Sequence, residues 1–479
     1  MRSVVAAVGL FVLAGFGLGA QAPSAQAPRT PPASPGRTMR VDYFHTGNTT
    51  QELFALDQVV VEPAAWSGVP GRADDPLQLG AYGFDVREAA TQTLVYSRGF
   101  GSIYDEWVTT EEAATITRTF HESLRFPAPA SPVVVSVRKR GAGNQWKAVW
   151  TTTVDPKNMF VSTAAPDPDA GDLIAIERHG DPAHKVDLLL LGDGYTAAER
   201  PKFRADAQRL VDVLFATSPF KERRPDFNVW GLVPPARESG ISRPSLGLHR
   251  ANPAGSTYDA FGSERYVLTF DNRAFRRLAS FAPYDVVEIV VNGRTYGGGG
   301  IYNQYSTVAA DNAFAPYVFV HEFGHHFAAL ADEYYTSPVS YLPSATREEP
   351  WEANVTALLD PANLKWKDLV TTGTPLPTPW DKDGYEKRSR EAQATRAELR
   401  KQGRPEAEME ALFTRERRMD DVQFGAETFR GRVGAFEGAK YEARGYYRPE
   451  ANCLMFTRAD EFCAVCQRAL TAVIDSYAR

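Results

Sequence analysis

The pattern of apolar and polar positions divides the chain into two textures. From Met39 to about Val154 short β-branched and aromatic runs recur, separated by Pro and Gly. They are Val59–Val61, Thr93–Tyr96, Ala114–Phe120 and Val133–Val137. Strands at this spacing predict an all-β sandwich over residues 40–158. Beyond a Pro/Ala/Asp-rich stretch, 164–171, the pattern changes. Val186–Leu191 is an almost fully apolar strand, closed by the turn Gly192-Asp193-Gly194-Tyr195. A helix is expected next, with Thr196 as N-cap and Glu199 three residues on, the capping-box spacing. Phe203, Leu210, Val211, Leu214 and Phe215 then recur at helical spacing. Phe227–Val233 and Val286–Asn292 read as further strands ahead of a second helix around residues 318–330, so residues 183–479 are expected to form an α/β domain. Residues 384–421 are so densely charged that they read as a solvated helical insertion, and their mixed signs argue against a nucleic-acid arm.

The N-terminus has its own pattern. Arg2 precedes an apolar or small-residue run, Val4–Leu18, followed by Ala20, Ala22, Ala25 and Ala27. This predicts a signal peptide over 1–27, too short for a comfortable membrane span of about 20 residues. The expected location is secreted, extracellular or periplasmic, with no stable membrane insertion after cleavage. Residues 28–39 read as a Pro-rich linker and 159–182 as a second one. A net charge of −6 gives no footprint for nucleic acid, leaving a protein, a peptide or a small molecule as the partner. The three cysteines, Cys453, Cys463 and Cys466, are expected to form one local disulfide and a buried thiol. A single Cys-x-x-Cys lacks the second pair of a structural zinc site, and a metal there would need a non-cysteine ligand.

The chemistry concentrates in Val318–Tyr335. At about 100° per residue, His321 and His325 stack one turn apart on one helix face, where both imidazoles can bind one ion. Glu322 points about a quarter turn away, beside the ion, placed to accept a proton from water and return it to a leaving amine. A catalytic zinc needs a third protein ligand and an open position. The positions that continue the longer histidine pattern are Ala328 and Ala331, which cannot serve. Asp332 is the preferred candidate, with Glu333 or a distant residue as alternatives. On an unbroken helix Asp332 would lie about 10 Å further along the axis than His325, so the chain must leave the helix near Ala329 and turn back. His326 faces another side and is read as a non-ligand. His45 and His121, far from any partner in sequence, are read as structural. Asp193 is read as shaping its turn.

Several separated motifs occur together: the helix segment, Leu191–Thr196, Ser239-Gly240-Ile241, Tyr296-Gly297-Gly298, Cys453-Leu454-Met455 and Phe462–Cys466. In this combination the chain resembles the IgA peptidase family of bacterial metallopeptidases, including its N-terminal β-rich domain. The resemblance implies a metzincin-like zinc endopeptidase with one catalytic Zn2+. His321 and His325 would be ligands, Glu322 the catalytic glutamate, Asp332 the following acidic position and Met455 the methionine turn beneath the metal. Tyr446 and Tyr447 precede that turn, and Tyr447 is a candidate for holding the tetrahedral intermediate. Val286–Asn292 is a candidate substrate-receiving edge strand, and Tyr296–Gly300 a candidate flap. The competing class is a secreted binding protein that attaches to a surface protein or glycan through the sandwich and keeps a vestigial metal site. A hydrolase of a non-peptide amide is also compatible with the site. The substrate is not legible, and the family's name does not make immunoglobulin the target.

Overall fold

Along Met39–Tyr43, Tyr82–Val86 and Val133–Val137 every second residue turns into one apolar core, and two sheets close over it. A computed structural model describes residues 36–163, 171–338 and 347–478; the signal-peptide reading lies outside them. The strands are β1 (Arg37–Gly47), β2 (Glu52–Ala65), β3 (Tyr82–Glu88), β4 (Leu94–Phe100), β5 (Arg118–Pro127), β6 (Val133–Arg140), β7 (Trp146–Val154) and β8 (Val161–Thr163), with helix α1 (Ile103–Val108) after β4. One sheet has the order β5-β1-β2-β8 and the other β4-β3-β6-β7. Met39, Val41 and Tyr43 of β1 face Phe84 and Val86 of β3 and Val133, Val135 and Val137 of β6 across the core, the alternation a half-buried strand requires. Two linker expectations are corrected. Arg37–Met39 already belong to β1, because their backbone pairs with β2 and β5. The stretch 159–182 contributes β8 to the sandwich and β9 (Ile174–Glu177) to the second region.

The second region is mixed α/β. Its strands after β9 are β10 (Val186–Asp193), β11 (Phe227–Leu232), β14 (Val286–Val291), β15 (Gly298–Ile301) and β16 (Tyr305–Ala309), and β12 (Ser256–Thr257) with β13 (Leu268–Thr269) forms a short separate pair. The main sheet runs β15-β16-β14-β10-β11-β9. Its interior pairs are parallel, while β9 and β15 lie antiparallel on the two edges. Both faces are covered, which is why β10 reads as a continuous apolar run. Leu188 and Leu190 pack under α2 (Arg200–Leu214) and α4 (Ala315–Ala328). Leu189 and Leu191 meet α3 (Asn272–Ala279) together with Tyr104 and Trp107 of the N-terminal region. The two regions therefore share a core. The Thr196–Glu199 capping box is present, opening a short 3-10 turn ahead of α2.

Val286–Asn292 is not an edge. β14 is paired with β10 on one side and β16 on the other, so it has no free ladder to offer a peptide. The glycine run read as a flap supplies the edge strand β15 instead. The charged stretch 384–421 is a helical pair, α5 (Lys382–Lys401) and α6 (Glu406–Ala426). It is less solvated than its composition suggests. The chain breaks around Gly403, and Met409, Leu412, Phe413 and Phe424 are buried against the main core. A β-hairpin, β17 (Phe436–Ala439) and β18 (Glu442–Arg448), and the C-terminal helix α7 (Ala464–Tyr477) complete the fold.

Candidate active site

The apolar positions Phe319, Phe323 and Phe327 bury one side of α4 in the core. The opposite side carries His321, Glu322 and His325 into a cleft that Arg265, Tyr266, Gly298, Gly300, Asp332, Tyr334 and Tyr441 help line. The helix stops where the third-ligand argument requires. Ala329 takes a left-handed conformation (φ 52°, ψ 35°), which costs an alanine about 1–2 kcal/mol. Its N–H and that of Leu330 bond back to the last helical turn, satisfying carbonyls that the helix end leaves open. The reversal brings Asp332 Oδ1 to 3.1 Å from His321 Nε2 and 3.2 Å from His325 Nε2. The two Nε2 atoms are 3.2 Å apart.

The far side of each ring is fixed. His321 Nδ1 lies 3.1 Å from the Leu454 carbonyl and 3.2 Å from the Tyr317 hydroxyl, and His325 Nδ1 lies 2.5 Å from the Leu330 carbonyl. Carbonyls only accept, so both Nδ1 atoms carry hydrogen and both Nε2 atoms turn to Asp332. Asp332 Oδ1 is buried and has no other hydrogen-bond partner among the described residues; its Oδ2 accepts from the Tyr441 hydroxyl. Two ring nitrogens and one carboxylate oxygen thus meet over about one tetrahedral edge, and a proton or a metal ion must lie among them. In the proton-only case burial opposes the charge on His325, but the Asp332 carboxylate pushes its pKa up to about 9. Burial raises the Glu322 carboxyl, with the two imidazoles partly opposing it. A carboxylate of raised basicity is suited to taking a proton from water.

β15 lies close against the site helix because it has no side chains there. A Cβ on Gly298 would meet Val318 Cγ1 at 2.5 Å and Glu322 Cγ at 3.1 Å, and one on Gly300 would meet the Glu322 carbonyl at 2.4 Å. Tandem glycine in a strand marks such close approach, a signal available before the fold was known. Met455 is fully buried, and its Sδ packs on Gly324, between the two site histidines in sequence. The Glu333 N–H donates to the Met455 carbonyl at 2.9 Å.

Tyr447 is a correction. Side chains alternate along β18, so Tyr446 reaches the cleft and Tyr447 does not; neither mouth of the cleft is lined by Tyr447. Tyr441, at the β17–β18 turn, is the tyrosine that bonds Asp332, and nothing in the local sequence marked it. His326 is fully buried, with Val287 N–H donating to its Nε2 and its Nδ1 facing the Ile301 carbonyl. Burial drives its pKa down to about 3. Asp193 accepts from the N–H groups of Gly194, Ala254 and Ser256, pinning the turn to the following loop. His45 lies between Glu122 and Glu52, and His121 between Asp57 and Asn272 of α3.

The family described as IgA Peptidase M64 matches residues 174–474, and its separate N-terminal unit, Peptidase M64 N-terminus, matches residues 33–151. The chain belongs to the IgA peptidase M64 family. No curated protein matches it. Membership makes the chain a peptidase by class and its substrate a protein or peptide. Among the described residues no helix is long and apolar enough to cross a membrane. The family match also spans the N-terminal region, whose Ser102, Asp105, Glu106 and Thr109 line a 440 Å³ extension of the cleft that also reaches His325 and Asp332. No sequence signal marked those four residues, because their role depends on how the two regions pack.

Proposed function

We propose that this peptidase is a secreted, zinc-dependent endopeptidase with a metzincin-like site. The observation that carries the reading is the convergence of His321 Nε2, His325 Nε2 and Asp332 Oδ1 at 3.1–3.2 Å from one another. Bonds of about 2.0–2.1 Å to a tetrahedral ion place ligand atoms about 3.3 Å apart, so the donor set fits zinc. When bound, zinc acidifies a coordinated water and polarises the scissile carbonyl. Glu322, in the same cleft, accepts the proton of the attacking water and delivers it to the leaving amine. The Leu454 and Leu330 carbonyls keep the histidines in the ligand tautomer, and Tyr441 orients Asp332. Met455 forms the floor behind α4. β15 borders the cleft beside Glu322, and the Arg265 carbonyl and Val267 N–H already bond its outer edge at Gly298.

The test compares the wild type with Glu322→Ala on a mixture of secreted proteins, with zinc content measured in parallel. The variant should keep its zinc and lose about 10²–10⁴-fold in cleavage rate. Equal cleavage by both forms refutes the role of Glu322. The assembled site weighs against a binding protein with a vestigial centre, since the ligand geometry and the base are both intact.

A further inference from the structure

Behind the site, Glu333 of the segment after α4 meets three cysteines from the C-terminal end of the chain. Cys453, Cys463 and Cys466 are all free and buried, which corrects the expected local disulfide. The non-cysteine partner is Glu333, the residue after Asp332, and it is fully buried. One ligand atom from each of the four lies within 4.8 Å of every other. Cys453 Sγ is 3.8 Å from Cys466 Sγ, and Glu333 Oε1 is 3.4 Å from Cys466 Sγ and 3.9 Å from Cys463 Sγ. Tetrahedral zinc with bonds of about 2.3 Å to sulfur and 2.0 Å to oxygen sets S–S edges of about 3.8 Å and S–O edges of about 3.5 Å. The separations therefore match the edges of a zinc tetrahedron, while a disulfide needs sulfurs about 2.05 Å apart.

Backbone N–H groups are aimed at two of the three sulfurs. The Cys463 and Met455 N–H groups point at Cys453 Sγ, at 3.2 and 3.5 Å, and the Cys466 N–H points at Cys463 Sγ, which caps the N-terminus of α7. Asn354 Nδ2 donates to Glu333 Oε1 at 3.0 Å and fixes the carboxylate. Glu333 Oε2 has no hydrogen-bond partner among the described residues. A carboxylate oxygen left so in a fully buried pocket is costly without a cation. A disulfide between any two of the cysteines would remove two of the four donors and leave Glu333 with only Asn354 and the charge of Arg448 to offset its burial.

We propose that Glu333, Cys453, Cys463 and Cys466 form a second, structural zinc site. All four positions are filled by the protein, so the site is closed and does no chemistry of its own. Its effect is on placement. Glu333 bonds to the Met455 carbonyl, His321 Nδ1 faces the Leu454 carbonyl, and Asp332 is the neighbouring residue. The ion would clip the segment that carries Asp332 to the loop under α4 and to the start of α7, joining stretches more than a hundred residues apart in sequence. Thiolate-rich tetrahedral sets favour zinc over harder ions.

The decisive experiment uses the full chain with His321→Ala and His325→Ala, in which all four proposed ligands are untouched. It should retain an equivalent of zinc per chain. Exchanged for cobalt, the same variant should show an intense thiolate-to-cobalt charge-transfer band in the near ultraviolet. Adding Cys463→Ser and Cys466→Ser should abolish both signals, and Glu333→Gln should weaken zinc retention. Absence of metal and of the band in the histidine variant would overturn the proposal. So would a mass under denaturing, non-reducing conditions that is two hydrogens below the sum for free thiols. Zinc held by the histidine variant supports this site whether or not the His321–His325 centre binds a metal.

Discussion

Gly300→Ala is a sharp test of how the sheet edge and the site helix depend on each other. The new methyl carbon would stand 2.4 Å from the Glu322 carbonyl oxygen and 3.0 Å from His325 Cβ. Both belong to α4, whose other face is locked in the core, so neither can swing aside as a long side chain would. Ordinary contact begins near 3.4 Å, which means β15 must retreat by about 1 Å. Overpacking of this kind costs typically 1–3 kcal/mol, and a misplacement of about 1 Å at a catalytic site costs about 10²-fold in rate. The variant should therefore fold with a lowered midpoint in urea and lose about 10²-fold in kcat/KM on a protein substrate while retaining zinc. Gly425→Ala in α6, where a Cβ meets nothing within 4 Å, is the matched control and should be neutral or slightly stabilising. A folded Gly300→Ala chain with wild-type kcat/KM would refute the reasoning, since β15 would then not need its close seat on α4.

Asp332→Ala should weaken zinc binding by more than the about 10–100-fold that loss of an outer partner costs; a competition titration against a chelator measures it. Tyr441→Phe removes the donor to Asp332 Oδ2 and should weaken zinc affinity within that same range of about 10–100-fold, whereas Tyr447→Phe should leave affinity and rate within about twofold. Glu52 belongs to a pH test of the sandwich. Burial would raise its carboxyl, but His45, Lys139 and Tyr82 together lower it from 4.5 to about 2. A group depressed in the folded state adds stability that is full above pH 4.5 and lost as pH falls toward 2. Urea midpoints of the wild type should fall across that window, and those of Glu52→Gln should fall less.

Much of the site was legible in the sequence because it depends on local periodicity. The spacing of His321, Glu322 and His325 places them on one α-helix whatever surrounds it. The absence of a ligand-capable residue at Ala328 and Ala331 forced attention onto Asp332 and onto a break near Ala329, which the left-handed Ala329 supplies. β10 and the capping box at Thr196 were likewise local signals. Elements whose meaning depends on neighbours were misread. An apolar strand looks the same at the edge or the middle of a sheet, so Val286–Asn292 was misplaced, and the glycines beside it hid the true edge. Tyr446 and Tyr447 are adjacent in sequence, and only the register of β18 decides which of them reaches the cleft. Composition also misjudged residues 384–421, where a few apolar side chains at helical spacing were enough to dock a charged hairpin.

By itself the sequence determined the α4 triad, the two-texture architecture and the need for a turn after the helix, since each follows from backbone period and residue chemistry within a short window. The tertiary structure alone decided which acid faces the histidines, which glycine strand borders the cleft and that the N-terminal region forms part of its wall. It also decided that Glu333 meets three cysteines from the far end of the chain. Those are contacts between segments separated by tens to hundreds of residues, and no local periodicity encodes them.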